Sequence, residues 1–167
     1  RYNKGEGVSQ DHQEAFKLYK ISAEQGYSKA QSSLGAMYAE GTGVEKNYKE
    51  AITWFISAAK QSDSNGQYYL ANMYIEGLGV SENYQEAIKW FLLAAEQGNI
   101  KAQTSLGKLY YNGYKVSKNY SLALKWFRLA GENGDAESQN MLGFMFDIGV
   151  GFVPLAVPIS IFFATIY

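Results

Sequence analysis

A block of 36 residues recurs along this chain, and that recurrence constrains the fold more than any other feature. Leu34-Gly35 returns as Leu70-Ala71, Leu106-Gly107 and Leu142-Gly143. Tyr38 returns as Tyr74, Tyr110 and Phe146, and Gly41 as Gly77, Gly113 and Gly149. Trp54-Phe55 returns as Trp90-Phe91 and Trp126-Phe127, and Ala58-Ala59 as Ala94-Ala95 and Ala130-Gly131. A fixed period of this size marks a solenoid, in which no unit buries its apolar face alone and each stacks on the next. Such an array is expected to be a surface for holding partners.

Each unit reads as two helices around a glycine turn. In the first, Ala30, Leu34, Met37, Tyr38 and Gly41 form one helical stripe. Ser28 with Gln31, and Ser64 with Gln67, have the spacing of a capping box, while Asn99 and Asp135 can cap the later copies. The glycines at 41, 77, 113 and 149 stand where a helix end needs a positive φ. Asn47, Asn83, Asn119 and Asp11 then cap the second helix, with Glu50, Glu86 and Glu14 three residues on. Tyr48, Ala51, Trp54, Phe55, Ala58 and Ala59 share its buried face, Trp54 or Tyr38 filling the space beside alanines and Gly35. Gly26, Gly98 and Gly134 close this helix, and Ser62 stands in the same place as a poorer cap. Short connections favour antiparallel neighbours. Lys115 replaces the second glycine of the third turn, leaving that turn free to take another conformation.

These residues resemble the Sel-one-like repeat family, relatives of the tetratricopeptide repeats. The match runs through Ala30, Leu34, Gly35, Tyr38, Gly41, Gly43 and Val44, then Asn47, Ala51, Trp54, Phe55, Ala58 and Ala59, and covers about residues 1–151. The resemblance implies an all-α fold, a right-handed superhelix of antiparallel helix pairs, with first helices on the concave side and second helices outside. Residues 1–26 match only a second half-unit; full units follow at 27–62, 63–98 and 99–134, then a partial unit at 135–151. The chain is therefore expected to be a piece of a longer protein with one continuous core.

Composition narrows the partner. Fifteen basic residues against 16 acidic ones leave no basic stripe for a phosphate backbone, so no nucleic-acid partner is expected. The absence of cysteine excludes disulfides and thiolate chemistry and fits the cytoplasm. The one histidine, His12, holds the place of Tyr48, Tyr84 and Tyr120 and reads as a packing ring, not a metal ligand or base. Gly41-Thr42-Gly43 lacks the downstream Lys-Ser/Thr of a phosphate loop and recurs in step with the repeat, as a turn would. Asn119-Tyr120-Ser121 is a glycosylation triplet, but a helix cap already explains the asparagine. No catalytic, cofactor or metal residue is assigned, and the chain is read as non-enzymatic.

The expected function is a protein–protein interaction scaffold, one module of a larger signalling or quality-control protein, with its partner on the concave face. First-helix positions turned from the Leu/Tyr stripe vary between copies: Ser32, Tyr68, Thr104 and Asn140; Ala36, Asn72, Lys108 and Phe144; Ala39, Ile75, Tyr111 and Asp147. Tyr68, Asn72, Lys108 and Tyr111 are the selected partner-binding candidates. Ile148 to Tyr167 carries no charge, and twenty residues of helix could span ~30 Å, about the thickness of a bilayer core. Pro154 and Pro158 interrupt the stretch. Residues 152–167 are therefore read as a disordered or folded-back tail. The alternative is a membrane anchor, making the chain part of an endoplasmic-reticulum-type assembly.

Overall fold

In this computed structural model, residues 6–113 and 115–150 are described, side chains from residue 11 onward. Among them there are helices and turns and no strand. The helices are α1 (Glu6–Glu24), α2 (Ser28–Glu40), α3 (Tyr48–Lys60), α4 (Ser64–Glu76), α5 (Tyr84–Glu96), α6 (Ile100–Asn112), α7 (Tyr120–Glu132) and α8 (Ala136–Asp147). Where one continuous core was expected, the chain divides into two compact units, Arg1–Leu106 and Gly107–Tyr167. A repeat array packs through neighbour contacts, so a short run of helices can form a core of its own.

In the first unit, α2 and α3 run antiparallel: Tyr38 meets Asn47 at the turn, and Gly35 meets Ala51 and Phe55 further back. The same opposition joins α3 to α4, with Gly66 against Ala58 and Phe55 stacked on Tyr69. Leu34, Ala51, Phe55 and Ala58 are fully buried, as are Leu70, Ala87, Phe91 and Ala94 one period on. The second unit repeats this packing with Ala123, Phe127 and Ala130. The phenylalanine ring meets the small residue most closely, while Trp54 and Tyr38, partly buried, pack against Ala23, Ala30 and Leu34, and Trp126 is 3% exposed. A Cβ on Gly35 would lie 2.6 Å from the Phe55 ring, and one on Gly107 2.5 Å from Phe127. Trp54 and Trp90 stand half-buried at the border of the inner face, next to the phenylalanines that enter it.

The turns explain the recurring asparagines. Asn47 caps α3 by accepting from the Lys49 and Glu50 N–H groups, and Asn83 and Asn119 accept from Glu86 and Leu122. Each of the three also donates its backbone N–H to the tyrosine carbonyl of the preceding helix, at Tyr38, Tyr74 and Tyr110. Asn99 and Asp135 cap α6 and α8 through Ala102 and Ser138. Gly41, Gly77, Gly113 and Gly149 all have positive φ, and Lys115 keeps the left-handed conformation of Gly43 and Gly79 (φ 59° against 70° and 72°). The third turn is thus preserved at that residue.

Three sequence expectations are corrected. Asp11 is not a cap, because α1 runs through it from Glu6. His12 is exposed on that helix; the Gly43 turn lies against its backbone carbonyl, and its ring does not enter a core. The Ser28/Gln31 and Ser64/Gln67 boxes do not form: the caps are Tyr27, which makes no side-chain bond, and Asp63, which accepts from Gly66. Gln31 and Gln67 turn inward instead and are buried. Their amides donate to the Ala23 and Ala59 carbonyls of the preceding helix, and Gln103 and Gln139 repeat the contact at Ala95 and Gly131. Gln61 and Gln97 then donate to the side-chain oxygens of Gln31 and Gln67, both at 2.8 Å. A buried amide is tolerated when such partners replace water.

After α3, the Ser62 N–H reaches the Ala59 carbonyl and the Asp63 N–H reaches Ala58, the Schellman closure. Ser62 adopts φ 62° there, where the other repeats use glycine. Ser62→Gly is expected to stabilise the protein by about 1 kcal/mol by removing the Cβ penalty. The urea midpoint should rise; an unchanged or lower midpoint counts against this account.

Candidate functional site

Within the first unit, the first helices α2 and α4 and the start of α6 border an open groove of about 340 Å³. From α2 it takes Ser32, Ser33 and Ala36; α4 supplies Asn65 and Tyr69, and α6 supplies Lys101. Both serine hydroxyls donate to the Lys29 carbonyl, so what they offer the groove is acceptor lone pairs. The Tyr69 ring is fixed by stacking on Phe55, centroids 5.1 Å apart. Burial, and then the negative charge of Glu40, raises the pKa of its phenol above the usual tyrosine value, so it remains a neutral donor.

Tyr68 stands edge-on to Tyr69 and packs against Phe91, and Lys101 Nζ lies 6.0 Å over its ring. Asn99 ties the floor together. Its amide donates to the Ser64 carbonyl and to Asn65 Oδ1, while its own oxygen caps α6. The groove therefore presents aromatic faces, hydroxyl acceptors, an amide and one ammonium group. No three His, Cys, Asp or Glu side chains converge to hold a metal among the described residues.

Tyr68 and Asn72 come together on α4, where the Asn72 amide donates to the Tyr68 carbonyl at 2.8 Å. Both are half-buried. Lys108 and Tyr111 belong to the second unit. Lys108 pairs with Glu137 at 2.7 Å, and Tyr111 packs against Tyr120 and Phe144. The row expected to face outward does not do so throughout: Ser32 and Thr104 are buried. Their hydroxyls bond to Lys29 and Ile100 carbonyls in their own helices, so they need no water.

Sequence reasoning passed over Ser33, Asn65, Tyr69 and Lys101. The available signal was column variety: positions 29, 65, 101 and 137 read Lys, Asn, Lys and Glu, and positions 33, 69, 105 and 141 read Ser, Tyr, Ser and Met.

The Sel1 repeat matches residues 1–27, 28–63, 64–99, 100–135 and 136–155. Among solved structures, the chain is similar to c5321, a protective antigen of uropathogenic Escherichia coli strains displaying an SLR fold. Identity is 40% and the TM-score 0.80, over 90% of this chain and 32% of that one. A Sel1 repeat protein from Oxalobacter formigenes matches at 39% identity and TM-score 0.80, over 90% of this chain and 61% of that one. Helicobacter pylori cysteine rich protein B shares the fold at 22% identity and TM-score 0.64, over 83% of this chain and 99% of its own. No curated protein matches. The chain thus spans about a third of the first relative's length and less than two thirds of the second's. Residues 152–167, where an anchor was considered, lie outside the described residues; none of the described helices is long and apolar enough to cross a membrane.

Proposed function

Because the chain belongs to the Sel1 repeat family, whose members are generally protein-interaction scaffolds, we propose that it holds a peptide or protein partner in the groove over α2, α4 and the start of α6. The observation that carries this reading is the lining itself: Tyr69 locked by stacking, Lys101 beside it, and serine and asparagine acceptors opposite. Tyrosines held rigid lose little entropy on binding and make good anchors. An extended segment with an acidic side chain near Lys101 and an apolar one against Tyr69 suits the groove. Tyr68 and Asn72 serve it from the same helix, and Lys108 and Tyr111 offer a contact surface in the second unit. The role is non-enzymatic, that of one module in a larger signalling or quality-control assembly.

The test is to select peptides on the folded chain and measure their affinity for variants. Lys101→Glu and Tyr69→Ala should each weaken binding about tenfold or more, equivalent to roughly 1.4 kcal/mol. Lys60→Glu, on a second helix, should leave it unchanged. Peptides that bind Lys101→Glu and Tyr69→Ala as tightly as the parent would remove the groove from consideration.

A further inference from the structure

We infer, resting on the groove as the binding site, that its occupant is an extended peptide carrying two opposite charges. An acidic side chain sits at the starts of the first helices, and a basic one about five residues away sits at their ends. Lys29, Ser33, Ala36 and Glu40 share one stripe of α2. Asn65, Tyr69, Asn72 and Glu76 hold the same places on α4, and Lys101 opens the stripe of α6. Ser33, Ala36, Asn65, Tyr69 and Lys101 from these stripes line the groove. Glu40 stands one turn beyond Ala36, and its charge, after burial, raises the pKa of the Tyr69 phenol. The carboxylate is thus within electrostatic reach of the tyrosine that anchors the groove. Lys29, Lys101, Glu40 and Glu76 are all exposed, and none has an ion-pair partner among the described residues.

This order of charges opposes helix stability. Backbone dipoles leave a helix positive at its start and negative at its end, so cations suit the end and anions the start. α2 does the reverse at both ends, with Lys29 in its first turn and Glu40 as its last residue. α4 ends on Glu76 and α6 opens with Ile100-Lys101, in the same sense. The second helix α3 shows the favourable order, Glu50 in its first turn and Lys60 in its last. Charges held against the dipole point to a use outside their own helix. Both α2 and α4 oppose α3, so they run parallel and their like ends lie side by side. From the place of Lys29 to that of Glu40 is about 16 Å of helix. Five extended residues cover that length at about 3.3 Å each. A peptide lying along the groove meets Lys101 with its acid and Glu40 with its base, an apolar side chain resting on Tyr69 between them.

Peptides selected on the parent chain should therefore carry an acid and a base about five positions apart. Glu40→Lys should weaken such a peptide about fivefold at low salt, and less as salt rises. Glu40→Gln, which removes the charge without reversing it, should weaken it about twofold. Replacing the peptide's basic residue with glutamate should restore its affinity for Glu40→Lys and lower its affinity for the parent. Glu40→Lys should melt no lower than the parent, since a cation suits the end of α2. Peptides that depend on Lys101 and Tyr69 but ignore Glu40→Lys overturn the inference and leave the groove as the binding site. So does a glutamate-bearing peptide that fails to recover on Glu40→Lys, or a selection that yields no basic residue. Peptides indifferent to both Lys101→Glu and Tyr69→Ala remove the groove and the inference together.

Discussion

Phe91→Ala is expected to destabilise the protein by about 3–5 kcal/mol, the usual range for emptying a buried aromatic site. Phe91 is 1% exposed, and the Tyr68 ring packs against it with centroids 5.9 Å apart. Ala87 and Ala94, one turn to either side of it on α5, are equally buried and too short to collapse into the space. Trp90→Ala, one residue earlier, should cost less, because that ring is already partly exposed. Chemical denaturation of both variants measures the difference. Equal losses would mean that the two rings share the interior, contrary to the packing described above. Because Tyr68 leans on Phe91, Phe91→Ala should also loosen the tyrosines beside the groove.

Gly79→Ala is expected to cost more than about 2 kcal/mol, although it adds a single methyl group. Its φ of 72° already disfavours any side chain, by about 1–2 kcal/mol. The new Cβ would also lie 2.5 Å from the Tyr48 carbonyl oxygen and 2.8 Å from its carbon. Those are backbone atoms at the start of α3, so relief requires moving a helix end and not a rotamer. Gly98→Ala, with φ 83° but open space around it, isolates the conformational part. The melting temperature of Gly79→Ala should fall well below that of Gly98→Ala. A match between them would show that the turn can lift away from Tyr48 freely.

Much of this architecture was legible in the residues because repetition turns one chain into several readings of the same pattern. Helix limits, the asparagine caps and the left-handed glycines follow from local chemistry, which a period of 36 residues displays several times. What escaped was decided by tertiary contact. Adjacent Trp and Phe share one sequence signal, and only the packing shows that Phe55 enters against Gly35 while Trp54 lies, partly buried, against Ala23, Ala30 and Leu34. Gln31 and Gln67 have the spacing of a cap, and only the neighbouring helix reveals that their amides bond inward to Ala23 and Ala59. The groove was located by helix type, yet Tyr69 and Lys101 were missed. Their relevance depends on α4 and the start of α6 lying beside α2, which no single helix pattern states.

The glutamine chain that runs from Gln61 to Gln31 to Ala23, and again from Gln97 to Gln67 to Ala59, has a consequence for how such a protein can change length. These two links are alike, so excising or duplicating the period between them rejoins like with like; at the next repeat Asn133 donates to the Leu129 carbonyl instead, and the buried Gln103 side-chain oxygen has no partner among the described residues. An insertion or deletion within a helix that shifts Gln31 or Gln67 off its carbonyl partner would strand a buried amide. Growth by complete modules is thus nearly free of penalty, while growth by single residues is confined to the surface.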